Sequence, residues 1–296
     1  MAPPHAAHAR GRRVPSIIVH GGAGAAVADA DEFRPGMRAA VSAGWAVLAG
    51  GGRALDAVEA AVRSLEDDER FNAGRGAVLT EDGTVEMDAS IMEGDTLRNG
   101  AVACVTNMRH PITLARRILD TDRYSFFVGE GAMTLARALG IPFCDAEELI
   151  TDVQRKRLES AIGGTVGAVA LDRRGLISAA TSTGGMTGKP PGRVGDSPLI
   201  GCGTYAESTA GGVSCTGDGE AIIRAVLARR TIDILKAAGD PMHACQIAMD
   251  ILLEEGRGGG GLICIDWKGR LGWAHSTPLM PVGFMTPGHD VPAVTF

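Results

Sequence analysis

Hydrophobic and polar positions divide the chain into short apolar runs and longer stretches with helical spacing. Residues 16–20 predict a short buried strand that runs into Gly21-Gly22-Ala23-Gly24-Ala25, a turn with almost no side chain. Segments 36–49 and 53–65 are rich in Ala and repeat apolar residues at helical spacing. Gly50-Gly51-Gly52 between them suits a helix stop and restart. Strands are expected at 78–79 and 85–92 around the turn Glu81-Asp82-Gly83-Thr84, and again at 101–105, with helices at 111–119 and 130–139. Residues 140–163 read as a polar, charged helix ending at Gly163-Gly164. Residues 165–171 are apolar almost throughout, the pattern of a strand buried on both faces. The turn Asp172-Arg173-Arg174-Gly175 returns the chain as a strand over 176–183, so the two form a hairpin. Beyond it come a Gly/Pro-rich loop at 184–198, a strand end at 213–215, one long amphipathic helix over 217–237, a helix over 241–254, and strands near 261–266 and 271–275. Hairpins mixed with helix pairs predict two packed sheets covered by helices, an α+β arrangement rather than a doubly wound parallel sheet.

Composition narrows the function classes. The 296 residues are 45% hydrophobic, enough for a sizeable core, and 42 are Gly, which suits close approach of backbone to backbone or ligand. A net charge of −6 without a basic stripe argues against nucleic acid. Six Cys occur without a Cys-x-x-Cys pair, which predicts buried free thiols and a reducing compartment. There is no apolar run long enough for a membrane span. Residues 1–14 lack the apolar centre of a signal peptide and read as a disordered tail, so a cytoplasmic location is expected. The seven His show no metal-ligand spacing, so no cofactor is expected in catalysis.

The chemistry concentrates in three places. Gly163-Gly164-Thr165 joins a charged segment to a buried strand whose first residue carries a hydroxyl. An N-to-O acyl shift at Gly164–Thr165 would free the Thr165 amine, whose pKa of roughly 7.7–8.0 makes it a base for its own hydroxyl. Gly-Gly-Thr also opens ordinary strands. Thr216-Gly217 follows a strand and opens a helix, so the Thr216 hydroxyl and the Gly217 N–H can converge as an oxyanion hole, or Thr216 can be a plain helix cap. Arg193 and Asp196, three apart in the Gly/Pro loop, can hold a carboxylate and an ammonium, or simply pair with each other. Thr183, at the end of the returning hairpin strand, can lie near Thr165. His20-Gly21-Gly22 is similar to an esterase oxyanion loop, but no Gly-x-Ser-x-Gly follows.

Five runs in order resemble the plant-type asparaginase/isoaspartyl peptidase family of N-terminal nucleophile hydrolases. They are IIVHGGAGA, FNAGRGAVLTEDGTVEMDASIMEG, GTVGAVALD, TSTGGMTGKPPGRVGDSPLIGCGTYAE and SCTGDGEAIIR. The resemblance implies a four-layer αββα sandwich, one domain over 1–296, cut before Thr165 into an α chain of 1–164 and a β chain of 165–296. It implies Thr165 as nucleophile with Thr183 beside it, and Thr216 and Gly217 as oxyanion hole. Arg193, Asp196 and Gly219 would hold the substrate's charged groups, and Asn72, near the active site, would be a further substrate-binding residue. A structural sodium ion on the backbone carbonyls of Leu65, Glu66, Phe71, Ala73 and Arg75 is implied as well, although Asp67-Asp68-Glu69-Arg70 makes this loop unusually acidic. Expected substrates are asparagine and β-aspartyl dipeptides, and the expected assembly is a dimer of αβ units. A glycosylasparagine amidase and an uncut aspartate- or peptide-binding protein are the alternatives.

Overall fold

The computed structural model describes residues 13–152, 154–155 and 164–296. Among them an eight-stranded sheet runs in the order β12-β11-β1-β5-β6-β2-β3-β4. Its strands are β1 (Ser16–His20), β2 (Met87–Glu93), β3 (Asn99–Val105), β4 (Phe126–Val128), β5 (Val166–Leu171), β6 (Ile177–Thr183), β11 (Val282–Met285) and β12 (Ala293–Thr295). A four-stranded sheet contains β7 (Thr204–Glu207), β8 (Gly211–Gly217), β9 (Gly260–Asp266) and β10 (Leu271–His275), in the order β10-β9-β8-β7. Apart from β3–β4 the pairings are antiparallel.

Alternation along the central strands builds two cores. On β1, Ile17 and Val19 join the apolar cluster beneath α1 (Arg34–Ala49), α2 (Ala54–Glu66) and α3 (Pro111–Thr121), whereas Ile18 faces the second sheet. On β5, Val166, Ala168 and Ala170 take the first side, and Val169 and Leu171 the second. A strand buried on both faces is what the apolar run over 165–171 requires. The second cluster continues through the small sheet to three further helices. The layers are therefore helices, sheet, sheet and helices, the αββα sandwich. α4 (Gly129–Ala138) and the single turn α5 (Ala146–Leu149) complete the first helical layer.

Three expectations need correction. The helix over 217–237 is two helices, α6 (Gly219–Ala225) and α7 (Leu227–Ala238), broken at Val226 with φ 49°. The break turns the N–H groups of Ala228 and Arg229 to the carbonyls of Cys202 and Gly201, a partner outside the helix that periodicity cannot reveal. The run at 78–79 forms no strand, because the chain there meets the loop after β6 through a single bridge, Thr80 with Lys189. The last helix, α8 (Pro241–Ile251), passes into a wider π turn over Leu252–Gly256. Of the expected polar helix, α5 and helical residues at 152 and 154–155 are seen; 153 and 156–163, Gly163 among them, lie outside the described residues, as does most of the expected N-terminal tail.

Candidate active site

The hairpin β5–β6 sets the centre. Thr165 stands immediately before β5 and Thr183 ends β6, with Val166 opposite Ser182 in register. Both are buried, and the Thr165 hydroxyl donates to Thr183 Oγ1 at 3.2 Å. Thr183 in turn donates to the Gly164 carbonyl at 3.2 Å and accepts from the Gly185 N–H at 2.9 Å. Each hydroxyl has one proton, so the polarity is fixed: Thr165 to Thr183 to the Gly164 oxygen. Asn72 Nδ2 adds a second donor to that carbonyl, and its own position is fixed by Gly185 O at 2.8 Å and by Val78 N–H on its oxygen at 2.9 Å. Two donors on one carbonyl polarise it toward attack.

A cavity of about 400 Å³ opens in front of Thr165. Its wall includes Gly164, Thr183, Arg193, Asp196, Gly217 and Gly219. Gly219 lies so close to the loop that a Cβ there would be 2.9 Å from Arg193 Nη2 and 3.1 Å from Asp196 Oδ1. Asp196 is almost fully buried, and its Oδ2 has no hydrogen-bond partner among the described residues. Burial, only partly offset by Arg193, raises its pKa to about 7. Arg193 is held by the carboxylate of Glu220, through Nε at 2.9 Å and Nη2 at 2.6 Å. Glu220, in the first turn of α6, was not among the expected site residues; an acidic residue at a helix start reads as dipole compensation.

Thr216 is fully buried at the end of β8, and its Oγ1 accepts the Ala23 N–H at 2.9 Å. That contact occupies a lone pair and leaves the hydroxyl proton free to be donated. Gly217 has φ 134°, and a Cβ there would lie 2.3 Å from Gly260 Cα, so only glycine fits. The loop 21–25, set aside in the sequence for want of a serine elbow, therefore reaches the site through its backbone. Gly22 packs against Thr165 so closely that a Cβ would sit 2.9 Å from the Thr165 nitrogen.

Asn72 does not line the main cavity. With Gly164 and Gly22 it borders a smaller one of about 70 Å³, which shares Gly24, Ala25 and Gly164 with the main cavity. The Asn72 side chain bonds the Gly164 and Gly185 carbonyls and the Val78 N–H.

The loop 65–75 lies behind Thr183. The Glu66 side chain is fully buried and accepts from Ser182 Oγ at 2.7 Å and Ile112 N–H at 3.1 Å. The Glu66 and Arg109 carbonyls face Gly74, and the Phe71 and Glu69 carbonyls face Gly76, where a Cβ would be 1.9 Å from Phe71 O. Leu65 O and Ala73 O already accept the N–H groups of Asp68 and Gly76. Backbone oxygens are the donor type a hard monovalent cation takes, and of the five expected carbonyls those of Glu66 and Phe71 lie at these two glycines. The acidic run is absorbed by arginines: Asp67 pairs with Arg109 at 2.6 Å, Asp68 with Arg70, and Glu69 with Arg75 at 3.2 Å.

Comparison with known proteins agrees with this geometry. A family model described as asparaginase matches residues 13–164 and 158–291. The chain is 43% identical over 268 residues to the isoaspartyl peptidase/L-asparaginase of Xenopus laevis, covering 86% of this chain and 87% of that protein. It is 42% identical over 275 residues to the protein of the same name from Danio rerio, covering 88% of each, and 43% identical over 275 residues to that of Homo sapiens, covering 86% and 89%. The chain belongs to the asparaginase/isoaspartyl peptidase family of N-terminal nucleophile hydrolases.

Proposed function

We propose that this protein cuts its own chain between Gly164 and Thr165 and then hydrolyses β-aspartyl dipeptides and L-asparagine, releasing L-aspartate. The observation that carries the reading is the hydroxyl row from Thr165 through Thr183 to the Gly164 carbonyl, beside a cavity whose wall holds Arg193 and Asp196. In the self-cutting step Thr165 Oγ1 attacks the Gly164 carbonyl carbon. Its proton passes to Thr183, and the Thr183 proton goes to the carbonyl oxygen, which Asn72 also stabilises. Collapse breaks the C–N bond as the proton on the oxygen passes to the departing nitrogen, leaving an ester on Thr165 Oγ1 and a free amine, and water releases the Gly164 carboxylate.

The freed amine then serves as the base for the Thr165 hydroxyl. In hydrolysis Thr165 attacks the side-chain carbonyl of the substrate. The amine takes the hydroxyl proton and gives it to the leaving ammonia or amino acid, and water resolves the aspartyl ester. Thr216 and Gly217 hold the oxyanion, each donor worth roughly 3–4 kcal/mol in related sites. Arg193 takes the α-carboxylate and Asp196, with Gly219, the α-ammonium. No cofactor enters the chemistry. Sodium on the carbonyls of Leu65, Glu66, Phe71, Ala73 and Arg75 would stiffen the loop behind Thr183. The proposed assembly is a dimer of αβ units, and the proposed location is the cytoplasm; no described helix is long and apolar enough to cross a membrane.

The test is to incubate purified protein with a β-aspartyl dipeptide, asparagine and glycosylasparagine and to measure aspartate. Release from the first two, lost in Thr165→Ala, supports the reading. Turnover of glycosylasparagine alone favours the amidase, and aspartate binding without turnover favours an uncut binding protein.

A further inference from the structure

The two sheets meet through a row of polar side chains to which the reaction above gives no task. His20, at the end of β1, is fully buried, and its Nε2 lies 2.9 Å from Ser214 Oγ on β8. Ser214 Oγ is 2.7 Å from Thr181 Oγ1 on β6, which accepts from Thr204 Oγ1 at 2.5 Å. Ser90 Oγ meets Thr204 at 2.8 Å and the Ser197 carbonyl at 2.6 Å. All five side chains are buried. The row thus crosses the inter-sheet layer from β1 to the residue next to Asp196. Apolar side chains would fill such a layer without the desolvation that each hydroxyl incurs, and Val169 and Val213 do so nearby.

Two contacts aim the His20 end at the nucleophile. His20 pairs in register with Gly167, two residues from Thr165. A Cβ on Gly167 would lie 2.5 Å from His20 Nε2 and 2.0 Å from Ser214 Oγ, so the ring occupies the space beside β5. The other ring nitrogen, Nδ1, is buried without a hydrogen-bond partner among the described residues, so the Ser214 bond is what holds the ring. The residues that follow it reach the same centre, with Gly22 against the Thr165 nitrogen and the Ala23 N–H on Thr216 Oγ1.

We propose that His20 is a positioning residue for the hydrolysis: clamped to Ser214 and packed beside Gly167, it fixes the start of β5 and, through residues 21–23, the spacing between the nucleophile and Thr216. Burial holds the ring neutral, with a pKa of about 3, so it acts as a fixed dipole and not as a base. The proposal rests on the functional reading above.

The experiment compares His20→Leu, His20→Gln and Ser214→Ala with the wild type on a β-aspartyl dipeptide, with kcat expressed per cleaved chain. A misplaced nucleophile loses rate while ground-state binding at Arg193 and Asp196 survives. In His20→Leu kcat therefore falls by about tenfold or more and KM stays within about threefold. His20→Gln, whose amide reaches Ser214, recovers most of the rate. A His20→Leu kcat within about twofold of wild type, or a change confined to KM, overturns the proposal. If His20→Leu does not fold or cleave, Ser214→Ala decides: a lower kcat at unchanged KM supports it, and an unchanged kcat overturns it. Wild type without turnover would instead overturn the functional reading itself.

Discussion

At the scale of single residues, Asp196 ties the account to pH. Its carboxyl ionises at about 7 in the free protein, and only the ionised form attracts an ammonium. Once the substrate ammonium is bound, ionisation is favoured. Below about pH 7, kcat/KM therefore loses activity to both Asp196 and the Thr165 amine, and kcat to the amine alone; the acid limb of kcat/KM is the steeper. Equal slopes in a pH–rate series would contradict the assignment. The same carboxyl affects stability with a definite sign. The folded protein keeps this proton up to about 7, whereas an unfolded Asp releases it near 3.8. The contribution of Asp196 to stability is thus complete below 3.8 and is lost as pH rises through about 7, which denaturant titrations of Asp196→Asn against wild type will resolve. Arg193→Lys keeps the charge but loses the planar fork, and KM is expected to rise by about tenfold or more.

Residue roles were legible in uneven measure. Thr165, Arg193, Asp196 and Thr216 could be picked out from the residues around them, Thr183 from its place across the hairpin and Gly219 from the family resemblance alone, and the fold brings them around one centre. Asn72 could be picked out as nearby, but not as a donor to Gly164, because that contact spans 92 positions of sequence. The Ala23 N–H on Thr216 and the Glu220 clamp on Arg193 left no signal, since one uses backbone and the other an ordinary helix-start acid.

At the scale of elements, glycine decides how closely the layers pack. Gly44 on α1 lies where a Cβ would be 2.2 Å from Ile17 Cδ1 and 2.8 Å from Ala57 O. One position thus sets the approach of α1 to both α2 and β1. Gly44→Ala is expected to destabilise by about 1–3 kcal/mol through overpacking, read in the denaturation midpoint, while kcat per folded molecule stays near wild type. Short runs of apolar and small residues marked β1, β5, β6 and β9 correctly because these strands are buried along their whole length. It missed β4, β7, β11 and β12, which are three or four residues long and take their pairing from distant partners. It also ran through Val226, because α6 and α7 carry one continuous apolar pattern and only the Gly201 and Cys202 carbonyls impose the break.

At the scale of the whole molecule, the sandwich exists to bring two sheet ends together. The β5–β6 hairpin supplies the nucleophile and its partner, the β8–α6 junction supplies Thr216 and Gly217, and the long loop after β6 lays Arg193 and Asp196 across the opening. Two packed sheets under helices followed from the sequence pattern, whereas the large sheet's strand order did not, because β1 sits between β5 and β11, far apart in the chain. The most direct test of the central claim is the intact mass of purified protein followed over time. The account predicts that the 30.6 kDa chain gives way to two polypeptides, one ending at Gly164 and the other beginning with Thr165, and that hydrolase activity rises in step with them. A chain that stays whole and is nonetheless fully active would contradict it.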